Sequence, residues 1–126
     1  MIDVKTALYI HDNLIDKFGG SRGIRDIGGL EAALNRPFAT FDSIDLYPSP
    51  IDKAAALLES MVINHPFVDG NKRTAYVLMK LLLFKNGINI KANQGEKYLM
   101  VLSASKGEIR IDEIKLWLQS KTSKNQ

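Results

Sequence analysis

The 126-residue sequence contains no cysteine, so the chain can form neither a disulfide framework nor a zinc site built on thiolates. It also has no long apolar run. The stretch at residues 81–84 lies between Lys80 and Lys85 and is far too short to span a membrane. The first residues lack the charged start, apolar run and cleavage site of an export signal. We therefore expect a cytoplasmic protein that does not use a membrane as a partner.

The positive charge of the chain is modest. The formal net charge is +3 and the isoelectric point is about 9.2. Part of this charge comes from lysines of the polar C-terminal stretch "SKTSKNQ", which predicts a flexible tail over residues 120–126. The remainder, residues 1–119, has the size of a single domain. Charge alone gives little reason to expect a nucleic-acid partner.

The spacing of apolar residues predicts a mostly α fold. The predicted helices cover about residues 4–18, 29–36, 51–65, 71–86, 96–103 and 111–118. Asp3 can cap the first helix, and Asp26 can cap the second helix or open the turn before it. Pro37 ends the second helix. Trp117 faces inward in the last helix and is expected in the core.

Residues 38–48 are bounded by prolines and mix aromatic, β-branched and turn residues. This composition favours a loop or a small β-hairpin over a helix. It is the only part of the sequence in which we predict strands.

Chemistry is concentrated in "HPFVDGNKR", residues 65–73, in the connection between the two long helices. His65 ends the first of them, and a neutral imidazole can take a proton from an attacking hydroxyl. Pro66 and Phe67 are interpreted as a stiff turn and an apolar anchor that hold the connection. A lone histidine or an Asp-Gly turn is usually structural. Packing, however, does not require a base, an acid and two cations within nine residues.

The second half of this motif predicts a phosphate site. A helix starts here, and its unpaired backbone N–H groups and dipole attract anions. Gly70 lets the backbone approach a ligand, and Asn71 adds an amide donor. Lys72 adds a point charge and Arg73 a planar fork for phosphate oxygens. Asp69 would repel phosphate unless Mg²⁺ bridges the two, so the motif indicates a magnesium nucleotide.

The stretch "HPFVDGNKRTA" closely resembles the signature of the Fic/Doc family. Four other blocks are similar to the short branch of that family, the death-on-curing or Doc-like toxins. They read "IHDNLIDKFGG", "GIRDIGGLEAALNRP", "NGINI" and "GEIRIDEIKLWL". The resemblance covers about residues 1–119 and implies a compact six-helix bundle with a small hairpin-like flap.

The resemblance also implies roles for the motif residues. His65 would deprotonate a hydroxyl of a target protein, and Asp69 would hold Mg²⁺. Asn71 and Arg73 would bind the phosphates of the co-substrate ATP. The flap of the family, which docks the target by backbone pairing, corresponds to residues 38–48. Its candidate docking residues are Phe38, Thr40, Phe41, Ser43 and Ile44.

Two positions bear on the reaction that the resemblance implies. Adenylylating Fic enzymes read G-N-G-R-x-x-R, whereas this chain has Lys72 at the small glycine and Tyr76 at the second arginine. Both residues match the Doc-like branch, in which ATP lies reversed and presents its γ-phosphoryl group to the hydroxyl. This favours a protein Ser/Thr kinase, with a protein adenylyltransferase as the alternative. In that branch the target is translation elongation factor Tu, so translation would halt.

The chain also lacks the pattern S/T-x-x-x-E-G/N, through which Fic proteins are commonly silenced. The resemblance therefore implies inhibition by a separate antitoxin, a short protein whose disordered tail folds onto the toxin. The chain would then be one half of a toxin–antitoxin pair.

Residues outside the motif have simpler interpretations. His11 lies on the apolar face of the first helix and is interpreted as a core histidine that bonds to a neighbouring loop. Arg22, Arg25 and Asp26 are expected to pair with one another or to brace that loop.

Two further functions stay open at this point. A ribonuclease-type toxin would suit the small size, the basic isoelectric point and the His-Lys-Arg cluster. Against it, the aromatic residues are not interleaved with a basic stripe. The other is a catalytically silent module that retains only the nucleotide site.

Overall fold

The computed structural model describes residues 1–124, which form six α-helices, one 3₁₀ helix and four short strands. The helices are α1 (Val4–Phe18), α2 (Ile27–Asn35), α3 (Pro50–Asn64), α4 (Asn71–Lys85), α5 (Gln94–Ser105) and α6 (Ile111–Lys121). The strands are β1 (Thr40–Phe41), β2 (Ile44–Asp45), β3 (Ile88–Ile90) and β4 (Thr122–Lys124), and the 3₁₀ helix is Arg36–Phe38. The predicted mostly α fold with a hairpin in residues 38–48 is confirmed. Over residues 1–124, no helix is both long enough and apolar enough to cross a membrane.

Four helices begin at a side chain that caps their first turn, as polar N-cap residues do. These side chains belong to Asp3, Asp26, Ser49 and Asn93. In α1 the Asp3 carboxylate accepts a hydrogen bond from the Thr6 backbone N–H at 2.8 Å, and the predicted caps at Asp3 and Asp26 are confirmed. Helix α4 differs, because Gly70 precedes it and no side chain caps its first turn.

Helix α3 forms the centre of the bundle. Residues 54–62 are buried without interruption, which requires neighbours on every side of the helix. The neighbours are α2, α4, α5, α6 and the 3₁₀ helix. Because α3 also packs along α4, both ends of the connection at residues 65–70 are attached to rigid helices.

The core draws aliphatic side chains from all six helices. In α6, Ile114 and Leu118 are fully buried. Each such side chain stabilises the fold by about 1.5–3 kcal/mol through removal of apolar surface from water. Trp117, expected inside, is only partly buried and packs against the edge of this core.

A second small sheet corrects the expectation that residues 38–48 hold the only strands. Strand β3 pairs antiparallel with β4, so that Ile88 lies opposite Lys124 and Ile90 opposite Thr122. The predicted flexible tail is therefore wrong for residues 120–124, where α6 continues to Lys121 and β4 follows. The polar β4 has no alternating apolar pattern, and its pairing depends on the place where α6 ends. Residues 125 and 126 of the predicted tail lie outside the described residues.

Glu59 is a buried carboxylate at the centre of a polar network. It accepts hydrogen bonds from Arg36 Nη1 at 2.8 Å, from Arg110 Nε at 3.2 Å and from the Ile111 backbone N–H at 2.6 Å. Burial alone would raise the pKa of Glu59, but the hydrogen bonds from the two arginines outweigh it and lower the pKa. Since Arg36 begins the 3₁₀ helix before β1, Glu59 links the base of the hairpin to the start of α6.

Candidate active site

The motif occupies the connection between α3 and α4, as predicted. His65 follows the last residue of α3 in the left-handed region of backbone space (φ 49°, ψ 55°), and its N–H donates to the Met61 carbonyl at 3.2 Å. Gly70 has a φ of 75° and immediately precedes α4. The connection therefore turns at two residues with positive φ, one at each end.

His65 lies at the surface, and Arg25 holds the backbone that carries it. The Arg25 guanidinium donates to the carbonyls of His65 and Asn64, both at 2.8 Å. The imidazole Nδ1 lies 3.1 Å from Asn71 Nδ2. Because His65 is exposed and its Nδ1 already has a partner, Nε2 is the ring nitrogen left for an incoming group.

The segment before α2 braces the same connection. The backbone N–H groups of Arg25 and Asp26 both donate to the Pro66 carbonyl, at 2.8 and 3.0 Å. Arg22 instead pairs with two acids of α1. The interpretation of these residues as a brace is confirmed for Arg25 and Asp26, whereas Arg22 joins their segment to α1.

Asn71 is buried, and its side chain closes the connection on itself. Its Oδ1 accepts from the Phe67 N–H at 2.9 Å, and its Nδ2 donates to the Phe67 carbonyl at 2.9 Å as well as contacting His65. Both N–H bonds of the amide are thus engaged. We expected the Asn71 amide to point at phosphate, but it bonds to the backbone N–H and carbonyl of the buried Phe67 instead. The group of Asn71 that remains available to an anion is its backbone N–H.

Phe67 and His11 attach the connection to α1. The Phe67 side chain is 1% exposed, and its ring stacks on the His11 ring with centroids 3.8 Å apart. The His11 Nε2 lies 2.8 Å from the Asp69 carbonyl oxygen, so Nε2 carries the proton that is donated. The interpretation of His11 as a core histidine bonded to a loop is confirmed. Phe67, with Pro66 buried beside it, lies where an apolar anchor would lie.

The Asp69 carboxylate is exposed, but two backbone groups hold its orientation. Its Oδ2 accepts from the Ser21 N–H at 3.0 Å, and its Oδ1 accepts from the Gly70 N–H at 2.8 Å. These two bonds, with a smaller contribution from the Arg73 cation, lower the pKa of Asp69. The carboxylate is therefore ionised at neutral pH and keeps lone pairs for a further partner.

A divalent cation fits Asp69 when the substrate supplies other ligands. Within the described part of the chain, no group of three or more His, Cys, Asp or Glu residues could hold a metal ion. Mg²⁺ commonly binds one or two carboxylates together with substrate phosphates and waters. A single ionised carboxylate beside a helix start matches that ligand set, so the residues present fit Mg²⁺ that binds with a nucleotide.

Sequence reasoning missed the loop that holds Asp69. Gly20 has a φ of 120°, and a Cβ at this position would lie 2.6 Å from Asp69 Oδ2. Its neighbour Ser21 supplies the N–H that binds the same oxygen. The signal in the sequence is the Gly19-Gly20 pair, but such a pair is equally typical of a helix end.

The start of α4 is open to a ligand. A Cβ on Gly70 would lie 3.2 Å from Ile15 Cδ1, in addition to the strain of its positive φ, so a larger residue is disfavoured. No side-chain cap takes the N–H groups of the first turn. Unpaired N–H groups at a helix start bind anions through hydrogen bonds and the helix dipole.

Lys72 and Arg73 lie exposed on this first turn. The Arg73 guanidinium carbon is 4.3 Å from the centroid of the Phe18 ring, a cation–π contact that orients the guanidinium and leaves its N–H edges accessible. Among residues 1–124, neither cation has a side-chain hydrogen bond or an ion pair. Both remain available to an anion.

Tyr76, one turn beyond Lys72, adds no cation. Its ring is partly buried, and its hydroxyl is buried without a hydrogen-bond partner in the described residues. Burial raises the pKa of the phenol, so Tyr76 stays neutral at physiological pH. The position therefore offers no second positive charge to a phosphate.

The hairpin exposes apolar side chains. Phe41 and Ile44 face each other across β1 and β2 and are 74% and 70% exposed. Thr40 is exposed in β1, and Ser43 lies in the turn with a φ of 65°. Phe38 differs, since it is partly buried in the 3₁₀ helix. Because β1 and β2 form a two-stranded sheet of their own, their outer edges are open to another strand.

Several known proteins are similar to this chain in sequence. The sequence model of the Fic/DOC family matches residues 1–83, which include the whole motif. Toxin Doc of Mycolicibacterium smegmatis is 50% identical over 76 residues, which are 60% of this chain and 58% of that toxin. The protein kinase doc of Escherichia phage P1 is 30% identical over 116 residues, which are 90% of this chain and 88% of that kinase.

Larger proteins match over a shorter stretch. Protein adenylyltransferase fic-1 of Caenorhabditis elegans is 34% identical over 73 residues, which are 55% of this chain and 14% of that protein. The chain therefore spans less than two thirds of the mycobacterial toxin, most of the phage kinase and a small part of the adenylyltransferase.

Proposed function

Because the chain belongs to the Fic/DOC family, in its Doc-like branch, we propose that it is a toxin that transfers the γ-phosphoryl group of ATP to a protein serine or threonine. One observation carries the proposal: an exposed imidazole, an ionised carboxylate and an uncapped helix start share the connection between α3 and α4. Phosphoryl transfer to a hydroxyl uses a base, bound metal and donors for the phosphate oxygens.

In the proposed reaction the start of α4, with Lys72 and Arg73, binds the phosphates of ATP. Asp69 would hold Mg²⁺, which when bound offsets the negative charge of the transferred group. His65 takes the proton of the target hydroxyl while its oxygen bonds to the γ-phosphorus and ADP leaves. General-base catalysis of this kind contributes about 10²- to 10⁴-fold in rate.

Two residues support phosphoryl transfer over AMP transfer. Lys72 puts a long, exposed side chain on the first turn of α4, at the position where adenylylating enzymes have glycine. Tyr76 is a neutral phenol where adenylylating enzymes place a second phosphate-binding arginine. Without that cation, the site has no second positive charge to bind the terminal phosphate at a distance from His65. We therefore propose that the terminal phosphate lies next to the target hydroxyl. The alignment with a phage protein named a kinase, over 88% of its length, supports the same reaction.

We further propose translation elongation factor Tu as the target, so that modification halts translation. The exposed Phe41 and Ile44, on a hairpin with open edges, suit docking of a target segment by backbone pairing. Because a relative is named a toxin, a cognate antitoxin is the proposed partner that restrains the chain in the cytoplasm.

Labelled ATP tests the reaction. The protein is incubated with Mg²⁺, purified elongation factor Tu and ATP labelled at either the γ- or the α-phosphorus. Label from the γ position alone is the expected result. No transfer from either position would refute elongation factor Tu as the target of either reaction, and no transfer to any protein of a bacterial lysate would refute both reactions. His65→Ala should abolish transfer and growth arrest. Lys72→Ala should weaken ATP binding, whereas Lys80→Ala, an exposed lysine on the same helix, is the matched control and should not.

Transfer of AMP is the second candidate. The 34% identity to the C. elegans adenylyltransferase over 73 residues favours it. Label that reaches the target from the α position would establish this reaction in place of the kinase reaction.

A further inference from the structure

The orientation of the Asn71 amide is determined by two groups of the same residue. The Phe67 N–H donates to Oδ1 at 2.9 Å, and the Phe67 carbonyl accepts from Nδ2 at 2.9 Å. Rotating the amide by half a turn would place its NH₂ against an N–H and its oxygen against a carbonyl. Because Asn71 is only 4% exposed, water could not compensate for those two mismatches. The nitrogen that faces His65 is therefore Nδ2.

This orientation determines the state of the His65 ring. An amide nitrogen donates and does not accept, so at 3.1 Å the His65 Nδ1 must be the acceptor. A neutral imidazole has one donor and one acceptor nitrogen. With Nδ1 as the acceptor, the single ring proton lies on Nε2.

We propose that Asn71 is a positioning residue that fixes the tautomer of His65, with the proton on Nε2, in the nucleotide-free protein. The inference deepens the proposed function, on which its catalytic meaning rests, but the tautomer itself does not depend on any activity. The side chain of Asn71 is thereby assigned to the base, whereas its backbone N–H, at the start of α4, stays available to phosphate.

The tautomer bears directly on proton transfer. To take the proton of a hydroxyl at Nε2, the ring needs a lone pair there and its own proton on Nδ1; it then ends as an imidazolium with both nitrogens protonated. In that tautomer the Nδ1–H would point at the Asn71 N–H, and two donors would face each other. Transfer to Nε2 therefore requires that the hydrogen bond between Asn71 and His65 first be lost.

The chain contains two histidines, and the second is a built-in control. His11 Nε2 lies 2.8 Å from the Asp69 carbonyl oxygen, which can only accept, so Nε2 must be the donor. Both rings are thus expected as Nε2–H tautomers, but Asn71 sets only that of His65. Since His11 stacks on Phe67, its signals also report whether the connection has kept its structure.

Nitrogen-15 NMR of the histidine rings tests the proposal without nucleotide or target, at about pH 8.5, well above the ordinary imidazole pKa of about 6.5. In the wild-type protein, His65 Nδ1 should resonate as an unprotonated nitrogen and show a coupling across the hydrogen bond to Asn71 Nδ2. In Asn71→Asp, a carboxylate replaces the donor, so the two His65 nitrogens should exchange states while those of His11 stay unchanged.

A protonated Nδ1 in the wild type, or absence of the coupling, would overturn the proposal. So would an Asn71→Asp protein with intact His11 signals and an unchanged His65 tautomer. The wild-type coupling needs no variant, so the proposal stays testable if the substitution unfolds the chain. Failure of the labelled-ATP assay would leave these NMR results untouched.

Discussion

Replacing Glu59 by glutamine is expected to destabilise the protein by about 3 kcal/mol, the lower end of the range for a broken buried ion pair. The carboxamide keeps the shape of the side chain but removes the charge that two guanidinium groups share. The Arg110 side chain is 62% exposed, so its ion pair with Glu59 contributes at most about 1 kcal/mol to the stability of the fold. Arg36 is 29% exposed and retains hydrogen bonds to Ser60 and Tyr47. Because Arg36 keeps these hydrogen bonds, the expected loss of stability stays near the lower end of the range for a broken buried ion pair.

This loss is large for a domain whose total stability lies in the range of about 5–15 kcal/mol. For a chain of this length, about 3 kcal/mol corresponds to a decrease of about 9–15 °C in the melting temperature. Urea unfolding followed by circular dichroism gives the free energy of unfolding directly. Glu108→Gln, an exposed glutamate, is the control and should stay within about 0.5 kcal/mol of the wild type.

The dependence on pH provides a second check. The pKa of Glu59 in the fold is below its ordinary value of 4.5, so its stabilisation is fully present above that value and is lost as the pH falls through the lower, folded pKa. The difference between the wild type and Glu59→Gln should therefore be constant near neutral pH and shrink in acid. A difference below about 0.5 kcal/mol at pH 7, or one that grows in acid, would contradict the assigned role of the Glu59 charge.

Two further outcomes follow from the backbone. Gly70→Ala and Gly87→Ala should each lose about 1–2 kcal/mol because both residues have positive φ, but only Gly70 has a neighbour within 4 Å of the added Cβ. Thermal melts should therefore show the larger loss for Gly70→Ala, and equal losses would contradict the assigned contact. Ending the chain after Lys121 should lower the melting temperature and speed amide hydrogen exchange in Ile88–Ile90, because β4 is the partner of that strand. Unchanged exchange would mean that the pairing contributes nothing.

The helices were predictable from the sequence because the signals that form them are local. Apolar spacing and the Asp3 cap predict α1 with the bounds that the structure shows. Helix α5 is longer than the predicted residues 96–103, since Asn93 and Glu96 form a capping box that starts it earlier. That signal is also local, because Asn93 and Glu96 lie three residues apart in the sequence.

The candidate site was predictable in its residue types but not in its hydrogen bonds. Nine residues at an interhelix connection indicate a base, an acid and an anion cradle, and the structure brings these groups together. The sequence could not indicate that the Asn71 amide faces Phe67 and His65. The orientation of a buried amide depends on which nearby donors and acceptors still lack a hydrogen-bond partner once the chain has packed. The contact of Gly20 and Ser21 with Asp69 was hidden for the same reason, since 48 residues separate Ser21 from Asp69.

The sequence by itself determined the helical fold, the position of the motif between two helices and the family to which the chain belongs. These properties depend on periodicity, caps and residue identity over short stretches, which sequence carries directly. Tertiary structure alone decided which groups hold the Asp69 carboxylate, which nitrogen of His65 faces Asn71, and that the polar residues 122–124 form a strand. Each of these depends on contacts between distant segments, and a hydrogen bond exists only where packing has placed its donor and acceptor within reach.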